Sequence, residues 1–160
     1  MLLVLKKMVA TCIIMFAILL SGGKLLSQTR VKNVVLVHGA FCDGSGWEGV
    51  YKILKKKGYN INIVGNPNIG FAEDVAATKR VLDRQDGPTI LVGHSYGGAI
   101  ISEAGNHPKV VGLVYVVAFA PEANESLLQL LQSGPPTPNS GILPPDASGF
   151  VWYDLKKYNS

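Results

Sequence analysis

Gly93-His94-Ser95-Tyr96-Gly97 sets one hydroxyl between two glycines, each two residues away. An apolar run, "TILV", leads into it, and Gly98 and Ala99 follow. This G-x-S-x-G spacing suits a serine nucleophile carried on a sharp turn between a strand and a helix. Such a turn strains the serine backbone, and the flanking side chains must be small for strand and helix to approach. It also lifts the hydroxyl out of the sheet at a helix N-terminus, where the helix dipole favours negative charge. An isolated match is weak, because glycine and serine are common; within strand–turn–helix it is specific. The alternative is a tight turn with an idle serine.

Acyl transfer to a serine forms a tetrahedral oxyanion that needs preorganised N–H donors, each worth about 10²–10³ in rate. The backbone N–H of Tyr96 is the expected first donor. The second must come from a loop after an earlier strand, and "VLVHGAF" (residues 35–41) supplies it. Ala40 is the natural donor there, with Phe41 as the alternative. Serine also needs a base. The chain has three histidines, His38, His94 and His107. His38 belongs to the donor loop, where its side chain is expected to pack or hydrogen-bond. The side chain of His94 leaves the turn in another direction from Ser95. His107 follows Ser95 by twelve residues, about 18 Å along a helix, and cannot reach the hydroxyl.

Other patterns carry less. Gly44 to Gly49 spells G-x-G-x-x-G, but six residues separate it from Val37, Trp47 crowds it, and no acidic residue stands about 20 positions on. Gly39 to Ser45 lacks the lysine of a phosphate loop. Asp43 and Glu48 have no metal-ligand spacing with any histidine. Nothing beside Cys42 marks an activated thiol.

The elements that must hold these residues alternate. Asn33–Ala40 reads as a buried strand, and Gly46–Asn60 as a helix with Trp47, Val50, Tyr51 and Leu54 on one face and Gly58 as its stop. Lys55, Lys56 and Lys57 near its end suit the helix dipole and read as a solvated helix end. "NINIV" (60–64) alternates as a half-exposed strand. Residues 71–85 form a second helix, 89–93 a third strand, 95–107 a third helix ended by Pro108, and 109–120 a fourth strand. Continuous apolar strands alternating with helices predict a parallel, doubly wound α/β sheet with right-handed crossovers. After Pro121 comes one short amphipathic helix over 124–133, then "GPPTPNSGILPPDASG", too rich in proline and glycine for a regular element and expected to be a lid, a binding loop or a disordered segment.

The amino terminus has Lys6 and Lys7, then an apolar run from Met8 to Leu20, then small residues. This is the layout of a signal peptide over residues 1–27, which predicts a secreted or periplasmic protein. The run would rise only about 20 Å, short of a bilayer core of about 30 Å, so no stable membrane span is expected once it is removed. An uncleaved anchor or a plain apolar tail are the alternatives. Cleavage is expected between Gly23 and Thr29, with Ser27–Gln28 favoured, and no cysteine follows for a lipid anchor. The formal charge of the whole chain is +4. Taking Lys6, Lys7 and Lys24 from the 15 lysines and arginines leaves 12 against 11 acidic residues, a net +1. That balance gives little reason to expect nucleic acid as a partner. Cys12 leaves with the segment, so Cys42 has no intrachain partner and the domain must be held by its core.

"LVHGAF", "LVGHSYGG" and "LVYVVAFAP", in this order, resemble the α/β-hydrolase superfamily, and most of all its small single-domain esterases and the related hydroxynitrile lyases. The resemblance covers roughly residues 31–153. It implies Ser95 as nucleophile, Ala40 and Tyr96 as oxyanion donors, a core over 31–122 and the start of a cap over 123–160. It implies no metal or organic cofactor. An apolar lining is expected from Phe41, Trp47, Phe119 and the Leu127–Leu131 segment, and it suits a small apolar carboxylic ester as substrate. The superfamily's chain order is Ser, then Asp or Glu, then His. Glu122 stands where some members carry the acid, but no histidine lies beyond Pro108. The chain is therefore expected to be the N-terminal part of such a fold, with impaired hydrolysis and a fourth strand that lacks a neighbour. Lyase chemistry at the same serine and a non-catalytic remnant are the alternatives.

Overall fold

The computed structural model describes residues 30–134 and 140–158; the expected signal segment lies outside them. Four strands, β1 (Asn33–Val37), β2 (Asn60–Val64), β3 (Thr89–Ser95) and β4 (Val110–Ala118), form one parallel sheet in the order β2-β1-β3-β4. The helices are α1 (Glu48–Lys56), α2 (Phe71–Asp83), α3 (Gly97–Ala104), α4 (Leu127–Ser133) and the single turn α5 (Leu155–Tyr158). The expected α/β architecture with a parallel sheet is thus present. Among the described residues no helix is long and apolar enough to cross a membrane.

β1 is central because its sequence tolerates nothing else. All five residues are buried, and consecutive valines and leucine must be covered on both faces. Val35 and Val37 point to a core with Leu91, Val64, Leu82, Ile100 and Ile101, which α2 and α3 cover. Val34 and Leu36 point the other way, to Trp47 and Val92, with Leu54 of α1 packed on them. The split follows from handedness. β1 to β2 moves one way along the sheet, whereas β2 to β3 and β3 to β4 move the other way, and right-handed crossovers then place α1 on one face and α2 and α3 on the other. The order in which strands are added across the sheet switches sides between β1 and β3, so the loops leaving their carboxyl ends diverge and open a crevice, the usual ligand position in open α/β sheets.

Helix boundaries differ from the sequence pattern by local chemistry. Gly44–Trp47 is a 3-10 turn, capped by the Asp43 side chain accepting the Ser45 N–H, and α1 begins only at Glu48. Val50 of the expected apolar face is exposed, because the core on that side takes only Trp47 and the partly buried Leu54. α1 ends in a Schellman arrangement: the amide of Gly58, at φ 83°, donates to the Lys55 carbonyl, and that of Tyr59 to the Leu54 carbonyl. In α4 the Ser126 hydroxyl accepts the Gln129 amide while the Gln129 side chain accepts the Ser126 amide.

β4 has no further strand beside it among the described residues. Its sequence reads as a buried strand, yet Val111, Leu113, Val114, Tyr115, Val116 and Val117 are all exposed, Val117 to 89%. An unpaired apolar edge invites pairing with another chain. Lysines at Val114 and Val116 together are expected to shift the 160-residue chain toward monomer in analytical ultracentrifugation with unchanged far-UV dichroism. An unaltered association state would show that this edge does not drive self-association.

Candidate active site

β3 runs through to Ser95, two residues beyond its apolar core, and α3 starts at Gly97, so Tyr96 alone makes the turn. Ser95 is held at φ 52°, in the left-handed region, which costs about 1–2 kcal/mol for a residue with a Cβ. Close backbone contacts enforce it. A Cβ on Gly97 would sit 2.7 Å from the carbonyl oxygens of Val37 and His38, and one on Gly93 would sit 2.5 Å from that of Gly97. One on Gly98 would overlap the Phe119 carbonyl. β4 contributes through a bulge. His94 pairs with Val116 but Ser95 with Ala118, so Val117 is an extra residue, forced to φ 44°. Past it, the Phe119 amide donates to the Ser95 carbonyl at 3.1 Å.

The loop after β1 lies against the same serine. A Cβ on Gly39 would stand 2.9 Å from Ser95 Cβ, which places the Gly39–Ala40 turn directly beside the hydroxyl-bearing carbon. His38 clamps this turn. Its Nε2 accepts the Asn66 amide at 3.1 Å, so in the neutral ring Nδ1 carries the proton and donates to the Gly39 carbonyl at 2.8 Å. Asn66 Nδ2 closes the loop on the His38 carbonyl at 3.1 Å. Sequence reasoning missed Asn66, whose only local signal is a polar residue ahead of Pro67. Cys42 is exposed and its thiol donates to the Gly39 carbonyl at 3.3 Å.

Each of the three histidines has a contact away from Ser95. Both ring nitrogens of His38 are committed. His94 stands edge-on to Trp47, with ring centroids 6.4 Å apart. His107 lies ahead of the amino end of β4, with Nε2 3.1 Å from Asp83 Oδ1 and Nδ1 accepting the Lys109 amide. A seven-residue strand, about 20 Å, separates that end of the sheet from Ser95. Glu122 is exposed, and its amide donates to the Glu125 carboxylate. Among the described residues no three His, Cys, Asp or Glu side chains are grouped to hold a metal ion.

Ala40, Phe41 and Tyr96 all line one cavity of about 790 Å³. Ser95 is partly exposed and stands beside this cavity, between two of its lining segments, without forming its wall. Phe41 (φ 60°) and Asn68 (φ 54°) on the wall are also left-handed. The Tyr96 hydroxyl donates to Asp74 Oδ2 at 2.8 Å; burial first, then this hydrogen bond and the Asp74 charge, push the phenol well above its ordinary value, so it stays protonated.

The family model described as the alpha/beta hydrolase family matches residues 34–157. The chain belongs to the alpha/beta hydrolase family. It is 32% identical over 130 residues to a carbendazim hydrolyzing esterase of Nocardioides sp., an alignment that covers 72% of this chain and 50% of that protein. It is 36% identical over 101 residues to a pyrethroid hydrolase of Sphingobium wenxiniae, covering 55% of this chain and 36% of that one. The crystal structure of a pyrethroid hydrolase from Sphingobium faniae superposes with a TM-score of 0.69 at 28% identity, over 78% of this chain and 56% of that chain. The chain thus spans half or less of the length of these two curated relatives.

In this alpha/beta hydrolase the apolar wall differs from the one expected. Phe41 is on it, but Trp47 is buried under β1, and neither Phe119 nor the Leu127–Leu131 segment lines the cavity. Phe150, Val151, Trp152, Tyr153 and Leu155 do instead, with Phe41 and Tyr153 5.9 Å apart. The reason is a carboxylate in the proline-rich segment. Asp146 accepts the Ser148 and Phe150 amides at 2.8 and 3.0 Å and the Trp152 indole N–H at 2.8 Å, which folds 146–152 back on itself. The Leu143 amide donates to the Trp152 carbonyl and Ile142 bridges Tyr153.

Two outcomes follow from this geometry. Ser95→Gly relieves the left-handed strain that Ser95→Ala retains, so it is expected to be more stable than Ser95→Ala by about 0.5–1 kcal/mol in urea unfolding, after the entropy of glycine is subtracted. The Trp152 indole, then the Phe150 amide, hold the Asp146 carboxyl below the usual carboxylate range. A depressed value means the loop is fully supported above that range and loses this support as pH falls through the lowered value. The Trp152 indole N–H resonance should therefore stay fixed from neutrality to about pH 4 and move only below it. Movement at higher pH would break the assignment.

Proposed function

We propose that this chain carries the nucleophile and oxyanion-binding half of a serine esterase that acts on a small, apolar carboxylic ester. The observation that carries this reading is the meeting of Ser95, strained and partly exposed at the carboxyl end of β3, with the Gly39–Ala40 turn packed onto its Cβ. Ala40 and Tyr96 flank the serine on two sides, as donors for a developing oxyanion must. The cavity beside them is walled by Phe41, Ile69, Phe150 and Trp152, which suits an apolar ester. The likeness to an esterase and to pyrethroid hydrolases supports hydrolysis.

In this mechanism Ser95 Oγ bonds to the ester carbonyl carbon and gives up its proton to a base. The carbonyl oxygen takes the charge and accepts the N–H groups of residues 40 and 96. Collapse breaks the bond to the alcohol, which leaves with a proton, and water then releases the acid from acyl-Ser95. On this reading no histidine is assigned as the base for Ser95 among the described residues, and the 160-residue chain turns over esters slowly. On the same reading residues 1–27 serve export as a signal peptide, a role supported by their sequence pattern alone.

A fluorophosphonate probe, at high concentration and long incubation because no base is assigned to Ser95, is expected to label the chain slowly at Ser95 and to leave Ser95→Ala unlabelled. Turnover of a p-nitrophenyl ester should lie about 10⁶-fold below that of a serine hydrolase with its base in place. Absence of Ser95 labelling in a folded chain favours a non-catalytic protein. Fast, Ser95-dependent turnover would reveal a base elsewhere in the chain.

A further inference from the structure

Asp74 stands in the first turn of α2, where carboxylates are commonly solvated, yet it is only 1% exposed. A buried carboxylate needs partners for both oxygens, and here the two partners belong to different segments. Oδ2 accepts the Tyr96 hydroxyl at 2.8 Å, and Oδ1 accepts the Asn68 amide at 2.9 Å. Tyr96 follows Ser95. Asn68, with Ile69 and Gly70, lines another part of the same cavity. Phe71, at the start of α2, stands edge-on to the Tyr96 ring with centroids 6.5 Å apart. Helix α3 grips the other side of residue 96, since the Ala99 amide donates to the Tyr96 carbonyl at 3.0 Å. Residue 96 is therefore held from both ends, by its helix and through its phenol.

We propose that Asp74 is a positioning residue of the esterase site: its carboxylate ties the Tyr96 phenol to the 68–70 segment and so fixes both the direction of the Tyr96 main-chain N–H and the spacing of two cavity walls. This rests on the reading of Ser95 as nucleophile and the Tyr96 amide as oxyanion donor. The chemistry of the bridge separates three variants. Leucine in place of Asp74 leaves the Tyr96 hydroxyl and the Asn68 amide without an acceptor. Asparagine can serve both: its carbonyl accepts the Asn68 amide and its NH₂ donates to the phenol oxygen, which turns to accept. Tyr96→Phe cuts one arm and leaves the Asn68 arm intact.

The test uses the 160-residue chain with two readouts: the rate of Ser95 phosphonylation by a fluorophosphonate, and amide hydrogen exchange over residues 66–70 and 95–98. Phosphonylation forms an Oγ–P bond, breaks the P–F bond and releases fluoride and the hydroxyl proton. Asp74→Leu is expected to slow labelling by about 10²-fold, the scale of a misplacement of about 1 Å, and to speed exchange in both segments. Tyr96→Phe should slow labelling and speed exchange over 95–98 only. Asp74→Asn should label close to the wild-type rate, a rescue that loss of packing alone does not predict. Wild-type labelling and exchange in Asp74→Leu and Tyr96→Phe would overturn the proposal; if Asp74→Leu does not fold, Tyr96→Phe decides in the same way. Labelling that persists in Ser95→Ala sinks the nucleophile reading instead. The exchange pattern then decides the bridge by itself: faster exchange in both segments of Asp74→Leu upholds it, and unchanged exchange ends it.

Discussion

Ser95 occupies its position because three stretches of backbone meet around it with no Cβ between them. β1 reaches α3 through Gly97, β3 reaches α3 through Gly93, and the end of β4 reaches α3 through Gly98. Each approach is closer than a side chain allows. The left-handed turn at Ser95 is the consequence: a strand and a helix that come so close can be joined only by reversing the chain within one residue. The strain is local, of order 1–2 kcal/mol, and the buried β1–β3 core offsets it easily, since each fully buried Val, Leu or Ile contributes about 1.5–3 kcal/mol.

Around this meeting point, polar side chains orient loops that hydrophobic packing leaves undefined. His38 fixes the Gly39–Ala40 turn by accepting from Asn66 with one nitrogen and donating to Gly39 with the other. Asp74 spans Tyr96 and Asn68. Asp146 folds the 146–152 segment so that Phe150 and Trp152 face the cavity rim. These three groups differ in burial, and so in how much each contact matters. Asp74 and His38 are nearly inaccessible to water, where an unpaired polar group costs about 1–3 kcal/mol, whereas Asp146 is exposed and competes with water for its donors.

The sheet is unevenly covered. β1 is sealed on both faces, while β4, of similar apolar composition, carries α3 on one face and presents the rest to solvent. β4 nevertheless contributes at the site, because its bulge at Val117 brings the Phe119 amide onto the Ser95 carbonyl. The strand thus holds the Ser95 turn, while among the described residues no strand pairs with its outer edge.

Much of this was legible in the residues alone. Apolar runs separated by helical spacing identified the parallel α/β sheet, because a strand buried on both faces leaves no other pattern. Glycines at 93 and 97 around Ser95 marked the turn, because only a missing Cβ permits that approach. Local sequence also placed the stop at Gly58 and the unsuitability of His107. What it could not contain are contacts made across the fold. Asp74 and Tyr96 are 22 positions apart and Asn66 and His38 are 28 apart, and no periodicity links them. Trp47, Phe119 and Leu127–Leu131, expected to line the pocket, do not line the cavity beside Ser95 for the same reason: apolar character shows that a side chain seeks cover, but only the tertiary structure decides whether core or cavity provides it.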